Sequence, residues 1–428
     1  MTFVQLQAPP GPAEKFNASQ DLLGWLEGRF KEFGSIYRAS VYGTSVYVVS
    51  DPHFVDHILR KNWQNYKKGQ AIKRVGLLLG NGLMVSEGEF WKSQRRMIQP
   101  AFHDTAVGGL IKVIKAANIA LLKKWMDAAQ ERRTVNITSD ISHMTLGIVL
   151  RSIFGDDYEQ VAPGFNILSE ETARNLQFAQ AFRPLGEIVL EVTTQRRRQN
   201  RKDPDMLDVL MGARDQKSGQ VMPDRQLVSE IMTLIVAGHE TTASTLNWTW
   251  YLLSKNSDAE EKLANELNAL VEREVDSFAN LPKCAYTRQV IEETLRLYPA
   301  GWLMTRKALR DDKLGNYFVP AGTEIYISPY LIQRSPALWE VPNAFKPDRF
   351  DPQQSHMRHE LAMLPFSAGP RKCIGESLAR IEMQIHVMMI AKQLRLRCVS
   401  DNSMEIDAGV NLRGKCDFIM APEIRSMH

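Results

Sequence analysis

A mainly α-helical protein with a minor β component, organised as one large α-rich domain, is the fold class that this sequence predicts. Apolar residues recur at three- and four-residue steps through most of the stretch from about 52 to 310, with only short polar breaks between the periodic runs. Alternation of the strand type is confined to "SIYRASVYGTSVYVVSDP" (35–52), "GTEIYISPY" (322–330) and segments after about 394. No repeat, low-complexity linker or shift in composition divides the 428 residues, which favours a single unit over several small ones.

The elements follow in order. The opening "MTFVQLQAPPGPAEK" (1–15) reads as a flexible segment, and it lacks the basic-then-apolar order of a secretory signal, so a cytoplasmic location is expected. The first alternating patch is a hairpin with Gly43 near its turn. The longest periodic run covers 224–255, started by Pro223 and Asp224 and patterned by Leu227, Ile231, Leu234 and Ile235, then Leu246, Trp250 and Leu253. Inside it stands "IVAGHETTAST" (235–245), an awkward insertion for a buried helix. Gly238 costs about 1 kcal/mol relative to Ala, and the polar residues beside it need partners. Either another helix packs at Ala237 and Gly238 with a local polar network, or the helix opens around a reactant. Residues 336–372 are rich in Pro, Gly and polar residues and read as a long irregular loop, a feature that tends to be functional.

The totals exclude several classes. Hydrophobic residues make up 44% and charged residues 24%, the balance of an ordinary globular protein. A net charge of +4 is too weak to imply nucleic acid, and "RRRQNRK" (196–202) reads as a solvated connection between helices. No run of eighteen apolar residues is present, so no membrane span is expected. Four cysteines, 284, 373, 398 and 416, are too few and too scattered for a disulfide framework. "HETTA" lacks the second histidine of a zinc-protease motif. The pairs His53/His57 and His356/His359 have helical spacing but no accompanying ligand pattern, and read as surface residues.

The loop ends in "PFSAGPRKCIGESLARIEMQIHVMMIAKQL" (365–394). Cys373 precedes a strongly helical stretch, where a helix N-terminus and nearby N–H groups favour thiolate. Gly369 and Gly375 strip side chains from either side of it, so that a flat ligand or another backbone can approach. Arg371 can reach an anionic group. A lone cysteine before a helix is more often structural; the glycines and the arginine shift that balance.

"FSAGPRKCIG" resembles the haem-binding loop of the cytochromes P450, with Phe366, Gly369, Arg371, Cys373 and Gly375 at the family spacing. The resemblance implies haem b held between a long central helix and a cysteine-bearing loop and helix. Cys373 would be the proximal thiolate, which favours O–O cleavage; Phe366 would pack beside the sulfur and Arg371 would pair with a propionate. "ETLR" and "PDRF" resemble the family's structural network, made here by Glu293, Arg296 and Arg349. Trp91 and Arg95 in "EFWKSQRR", and Arg306 in "LMTRKAL", match propionate positions. "AGHETT" resembles the oxygen-binding turn, where the helix bulges above the iron, Ala237 and Gly238 leave room for O2 and substrate, and Glu240 with Thr241 delivers protons.

The expected activity is therefore that of a monooxygenase: two externally supplied electrons activate O2, and one oxygen atom enters a lipophilic molecule by hydroxylation or epoxidation. "GNGLMV" lacks the third glycine of a dinucleotide fingerprint, so the electrons are expected from a separate ferredoxin or flavodoxin with its reductase, docking at Lys92, Arg96 and Lys372. By the same resemblance the pocket draws on Leu77 to Leu79, Phe178, Phe182, Leu234, Ala237, Trp302 and Leu303, which suits a terpenoid, fatty acid or polyketide-like metabolite. A monomer is expected. A haem sensor would share the cysteine but has no use for Glu240 and Thr241; a cysteine hydrolase would need a paired histidine, for which the sequence offers no pattern.

Overall fold

The computed structural model describes residues 7–169, 177–270, 278–353, 359–399 and 403–425. Helices dominate and four small sheets flank them. The hairpin predicted around Gly43 forms as Ile36–Val41 against Thr44–Val49, in register from Ile36↔Val49 to Val41↔Thr44. Its two turn residues, Tyr42 (φ 49°) and Gly43 (φ 75°), are both left-handed, as the tightest antiparallel connection demands. The hairpin seeds a five-stranded sheet whose order continues through Glu324–Ile327, Met304–Ala308 and Tyr66–Lys68. Val46 to Val49 run parallel to Glu324 to Ile327, so this sheet joins distant parts of the chain. Of the opening segment, residues 1–6 lie outside the described residues; Gln7 bridges Tyr317, and Pro10 O accepts from Arg38 N at 2.8 Å, which fastens the next few to the sheet.

The predicted central helix spans Asp224–Lys255, with the expected bounds. Its C-terminal half is buried among the helices Asp104–Gln130, Ile137–Phe154 and Glu376–Gln393, in the largest apolar cluster of the molecule. Here Trp248 stacks on Tyr298 with ring centroids 3.8 Å apart. A chain of polar side chains crosses this core. Trp250 Nε1 donates to His386 Nε2 (2.9 Å), so the proton of the imidazole must sit on Nδ1, which faces Asn118 Oδ1 at 2.7 Å. Burial pushes His386 down to about 3, which keeps this arrangement neutral across the working pH range.

One expectation is overturned. The basic run 196–202 is not simply a solvated connection: Arg196 is 1% exposed and donates to Asp157 (2.6 Å), Asp205 (2.7 Å) and the Phe154 carbonyl (2.7 Å). It ties the end of helix Gln177–Gln199 to the start of Met206–Gly212, while Arg198 and Lys202 stay exposed. Three carboxylates, Asp157, Asp203 and Asp205, draw the charge inward, and none of them is adjacent to it in sequence. Among the described residues no single helix is long and apolar enough to cross a bilayer; a bent pair, Gly88–Phe102 with Ala106–Gln130, passes only across a 61° turn.

Candidate active site

Between Ile231 and Leu253 the central helix is buried except at Leu234, Val236, Ala237, Gly238, Glu240 and Thr241. Those residues keep accessible surface although they lie deep in the chain's longest internal helix, so this turn borders an internal space. Which side each residue faces explains the polar insertion. His239 is 1% exposed and its Nε2 lies 2.9 Å from Ser142 Oγ on the neighbouring helix; burial holds it down to about 4, so it serves as a neutral strut. A side chain added at Gly238 would meet Val149 Cγ2 at 3.1 Å. Gly238 thus backs onto helix Ile137–Phe154 through Val149 and, beside Ala237, keeps accessible surface. The helix assignment is continuous through this turn, and Thr241 Oγ1 donates to Ala237 O (2.7 Å). Glu240 faces away from this wall, and its Oε2 accepts from Asn411 Nδ2 at 3.0 Å.

The cysteine loop approaches from the other side. Gly369 adopts φ 71°, and any Cβ there would lie 2.0 Å from the Leu59 carbonyl oxygen, so the expected need for glycine is met by backbone-on-backbone contact. Cys373 N donates to Phe366 O (2.9 Å), which closes the loop just before helix Glu376–Gln393. Gly375 has only ordinary contact, with Phe102 at 3.9 Å, so its missing side chain is not taken up by close protein packing. The Arg380 guanidinium covers Phe366 at 4.9 Å. Cys373 is enclosed on most sides yet exposed on one. The Gly375 N–H favours thiolate as expected, with Arg95 and Lys372, but burial outweighs them and, with Glu376, pushes the thiol up. A coordinating metal would itself remove the proton. Ile374 and Leu378 from this side, and Leu234 and Val236 from the central helix, edge one and the same apolar cluster.

A third group surrounds Trp91, which is 5% exposed on helix Gly88–Ile98. Arg371 lies over its ring at 4.2 Å, donates to Ser86 O (3.2 Å) and pairs with Glu87, while its Nε is buried without a partner. Arg306 is 8% exposed and donates to the Thr305 carbonyl at 2.9 Å; burial, then Arg371, holds it down to about 10. Opposite it in strand register stands Lys68, whose Nζ donates to Leu83 O (2.9 Å) and Met84 O and is lowered to about 7 by burial and then by Arg371. Three crowded cations share Glu87, and Glu230 lies near Lys68 alone. Such a cluster calls for further negative charge, and the orphaned Arg371 nitrogen fits the carboxylates of a haem. Arg95, expected among them, donates through Nη1 to the Lys372 carbonyl (2.9 Å), a bond that braces the cysteine loop.

Glu293, Arg296 and Arg349 are brought together as the motif spacing implied. Glu293 and Arg296 are fully buried and bidentate (2.6 and 2.7 Å), and Arg349 Nε reaches the same carboxylate at 3.0 Å. Arg296 also donates to the carbonyls of Gln333, Pro342 and Ala344, which pins the long irregular loop. Trp302 does not meet Leu234: it is 4% exposed in the cluster beneath the N-terminal hairpin, and its indole donates to Gly409 O (3.0 Å). Leu303 packs against that same cluster. Leu77 is 87% exposed, Phe182 is buried, and the side chain of Phe178 lies outside the described residues. Among the histidine pairs, His57 lies 2.8 Å from Asp312 and His53 packs edge-on against His359, while His356 is not among the described residues. Lys68, Glu87, Val236 and Asn411 were not read from the sequence, because "YKKG" and "GVNLRG" carry no pattern that marks them.

An accessible cysteine just before a helix, an accessible turn on the buried central helix and a buried cationic cluster together point to a haem-thiolate protein. The chain belongs to the cytochrome P450 family, whose model matches residues 16–184 and 160–408. It is 31% identical to the cyclooctat-9-en-7-ol 5-monooxygenase of Streptomyces melanosporofaciens, over 87% of this chain and 84% of that one. It is also 31% identical to the cyclooctatin synthase of the same organism (82% and 81% covered), and 29% identical to the chloroplastic carotene epsilon-monooxygenase of Arabidopsis thaliana (89% and 78%). The crystal structure of a mutant haem domain of cytochrome P450DA shares the fold, with a TM-score of 0.85 at 21% identity over 99% of both chains. The protein is a P450 monooxygenase that uses haem iron, O2, a substrate and a redox partner.

Proposed function

We propose that the whole chain forms one unit that binds haem b through Cys373 and oxidises a lipophilic, terpenoid-like molecule. The observation that carries this reading is the accessible turn Leu234 to Thr241 on an otherwise buried helix, edging the same apolar cluster as the loop of Cys373. Haem with a thiolate ligand supplies the oxygen-activating redox chemistry when bound. Lys68, Arg306, Arg371 and the indole of Trp91 would hold its propionates, and Phe366 and Gly375 would lie beside the ring. The chain's own contribution is then to exclude water and meter protons. Val236 and Ala237 present small apolar surface, whereas Glu240 offers a carboxyl group that can exchange protons and Thr241 a hydroxyl that can pass them on. Fatty acids and polyketide-like molecules remain within the same lipophilic class; the names of the relatives, which include carotene, favour a terpenoid.

The test is direct. The purified holoprotein should give the thiolate-type reduced carbon monoxide difference spectrum, and a lipophilic library should contain compounds that displace the iron-bound water and become oxygenated. A spectrum without the thiolate form, or uniform silence of terpenoids beside other responding ligands, overturns the corresponding half of the reading.

Electrons would arrive from a ferredoxin or flavodoxin served by its own reductase, with the enzyme acting as a cytoplasmic monomer. Arg96 is exposed, whereas Lys92 and Lys372 are already paired with Glu89 and Glu376 at 2.6 Å. Reversing the charge at all three is expected to slow reduction by an acidic donor at least about tenfold at low ionic strength, the loss shrinking as salt is added. Stopped-flow reduction measures it; rates and salt dependence equal to wild type would remove this docking face.

A further inference from the structure

We infer that Asn411 is a positioning residue for Glu240, its side-chain amide holding the carboxylate in one orientation from the turn of the hairpin Ile406–Ala408/Leu412–Gly414. The inference deepens the proton-delivery reading of Glu240 given above and rests on it. The contact is 3.0 Å from Asn411 Nδ2 to Glu240 Oε2, and among the described residues it is the hydrogen bond that this carboxylate makes. An ionised carboxylate can only accept, so the amide must present its N–H2 face to it.

The turn that carries Asn411 is not free to drift. The Leu412 carbonyl accepts from both Ser244 Oγ (2.6 Å) and Trp248 Nε1 (3.0 Å), donors that stand one and two turns beyond Glu240 on the same central helix. On the opposite strand side, Leu412 N donates to Ala300 O (3.2 Å), and the indole of Trp302 donates to Gly409 O (3.0 Å). Four hydrogen bonds therefore clamp residues 409–412, although Val410 itself is 84% exposed. Donor and acceptor of the Asn411–Glu240 contact are both referenced to one helix, so their separation is fixed by the fold. This also gives a use to Ser244, Trp248 and Trp302, which no other part of the site requires.

The chemical consequence concerns freedom of motion. A glutamate side chain has three rotatable bonds, and an unrestrained carboxylate would swing between solvent and the internal space. Holding Oε2 leaves Oε1 to take up and release the proton, always from the same place. His239, the neighbouring polar residue, is spent on Ser142 and does not compete for the carboxylate.

The experiment uses the haem-loaded full chain with Asn411→Leu, which is close in size but has no donor, and Asn411→Ser, which suits a hairpin turn but is too short to reach. The carboxylate stretch of Glu240 is assigned in the infrared by its loss in Glu240→Gln. Both Asn411 variants should shift that band while leaving the carbon monoxide spectrum and the substrate-induced spin shift as in wild type. Product formed per electron consumed should fall about tenfold, within the contribution of a positioned proton donor, and should fall no further when either change is added to Glu240→Gln. An unmoved band, or coupling within about twofold of wild type in both variants while Glu240→Gln is impaired, makes Asn411 idle. Unimpaired coupling in Glu240→Gln removes the proton-delivery reading itself, and the positioning role with it.

Discussion

Cys373→Ala is expected to abolish oxygenation and the thiolate-type carbon monoxide spectrum while the protein still folds. The geometry separates the two effects. The side chain of Cys373 is accessible, and the loop is closed by its backbone N–H to the Phe366 carbonyl, which Ala retains. Outer-shell partners of metal ligands typically cost about 10–100-fold when removed, so loss of the ligand itself should exceed that range. Far-ultraviolet circular dichroism and thermal melting check the fold, and difference spectroscopy and product assays check the site. Turnover of the Ala variant comparable to wild type, with the same spectrum, would mean that another residue ligates the iron.

The second large effect is expected at Glu293. Removing its carboxylate in Glu293→Ala takes from two guanidiniums, Arg296 fully buried and Arg349 nearly so, the negative charge they share. Breaking a buried ion network in this way costs about 3–5 kcal/mol. Burial already depresses Arg296, and only the Glu293 carboxylate offsets it. The loop carbonyls of Gln333, Pro342 and Ala344 also lose the arginine orientation that pins them. The measurable outcome is a lowered melting temperature together with faster haem loss, because this loop leads directly to Cys373. Glu293→Gln, which keeps acceptor geometry without charge, should be intermediate. Equal melting temperatures for Glu293→Ala and wild type would show that the loop is held by something else.

Much of this was legible because local rules and tertiary demands agreed. Apolar periodicity bounded the central helix correctly at 224–255, and the spacing of Phe366, Gly369, Arg371, Cys373 and Gly375 located the loop. The misreading of the basic run has a physical cause, partners outside the run that outweigh the local preference: Arg196 is drawn inward by Asp157 and Asp205. At Cys373 the helix-end N–H does lower the thiol, and burial outweighs it. Contacts such as Val149 behind Gly238 and the Lys372 carbonyl on Arg95 come from other elements and leave no local pattern. Lys68 could not be read at all, since its role depends on lying opposite Arg306 across two short strands.

That last pairing bears on how the enzyme is made. Within the five-stranded sheet, Tyr66–Lys68 pairs with Met304–Ala308 alone, and the hairpin Ile36–Val41/Thr44–Val49 meets the other strands through Glu324–Ile327. Bringing such remote segments together is entropically slow, and on the ribosome it must wait until the second half of the polypeptide has emerged. Until then the hairpin Ile36–Val41/Thr44–Val49 carries an open edge where Glu324–Ile327 will pair, and Tyr66–Lys68 lacks its neighbouring strand.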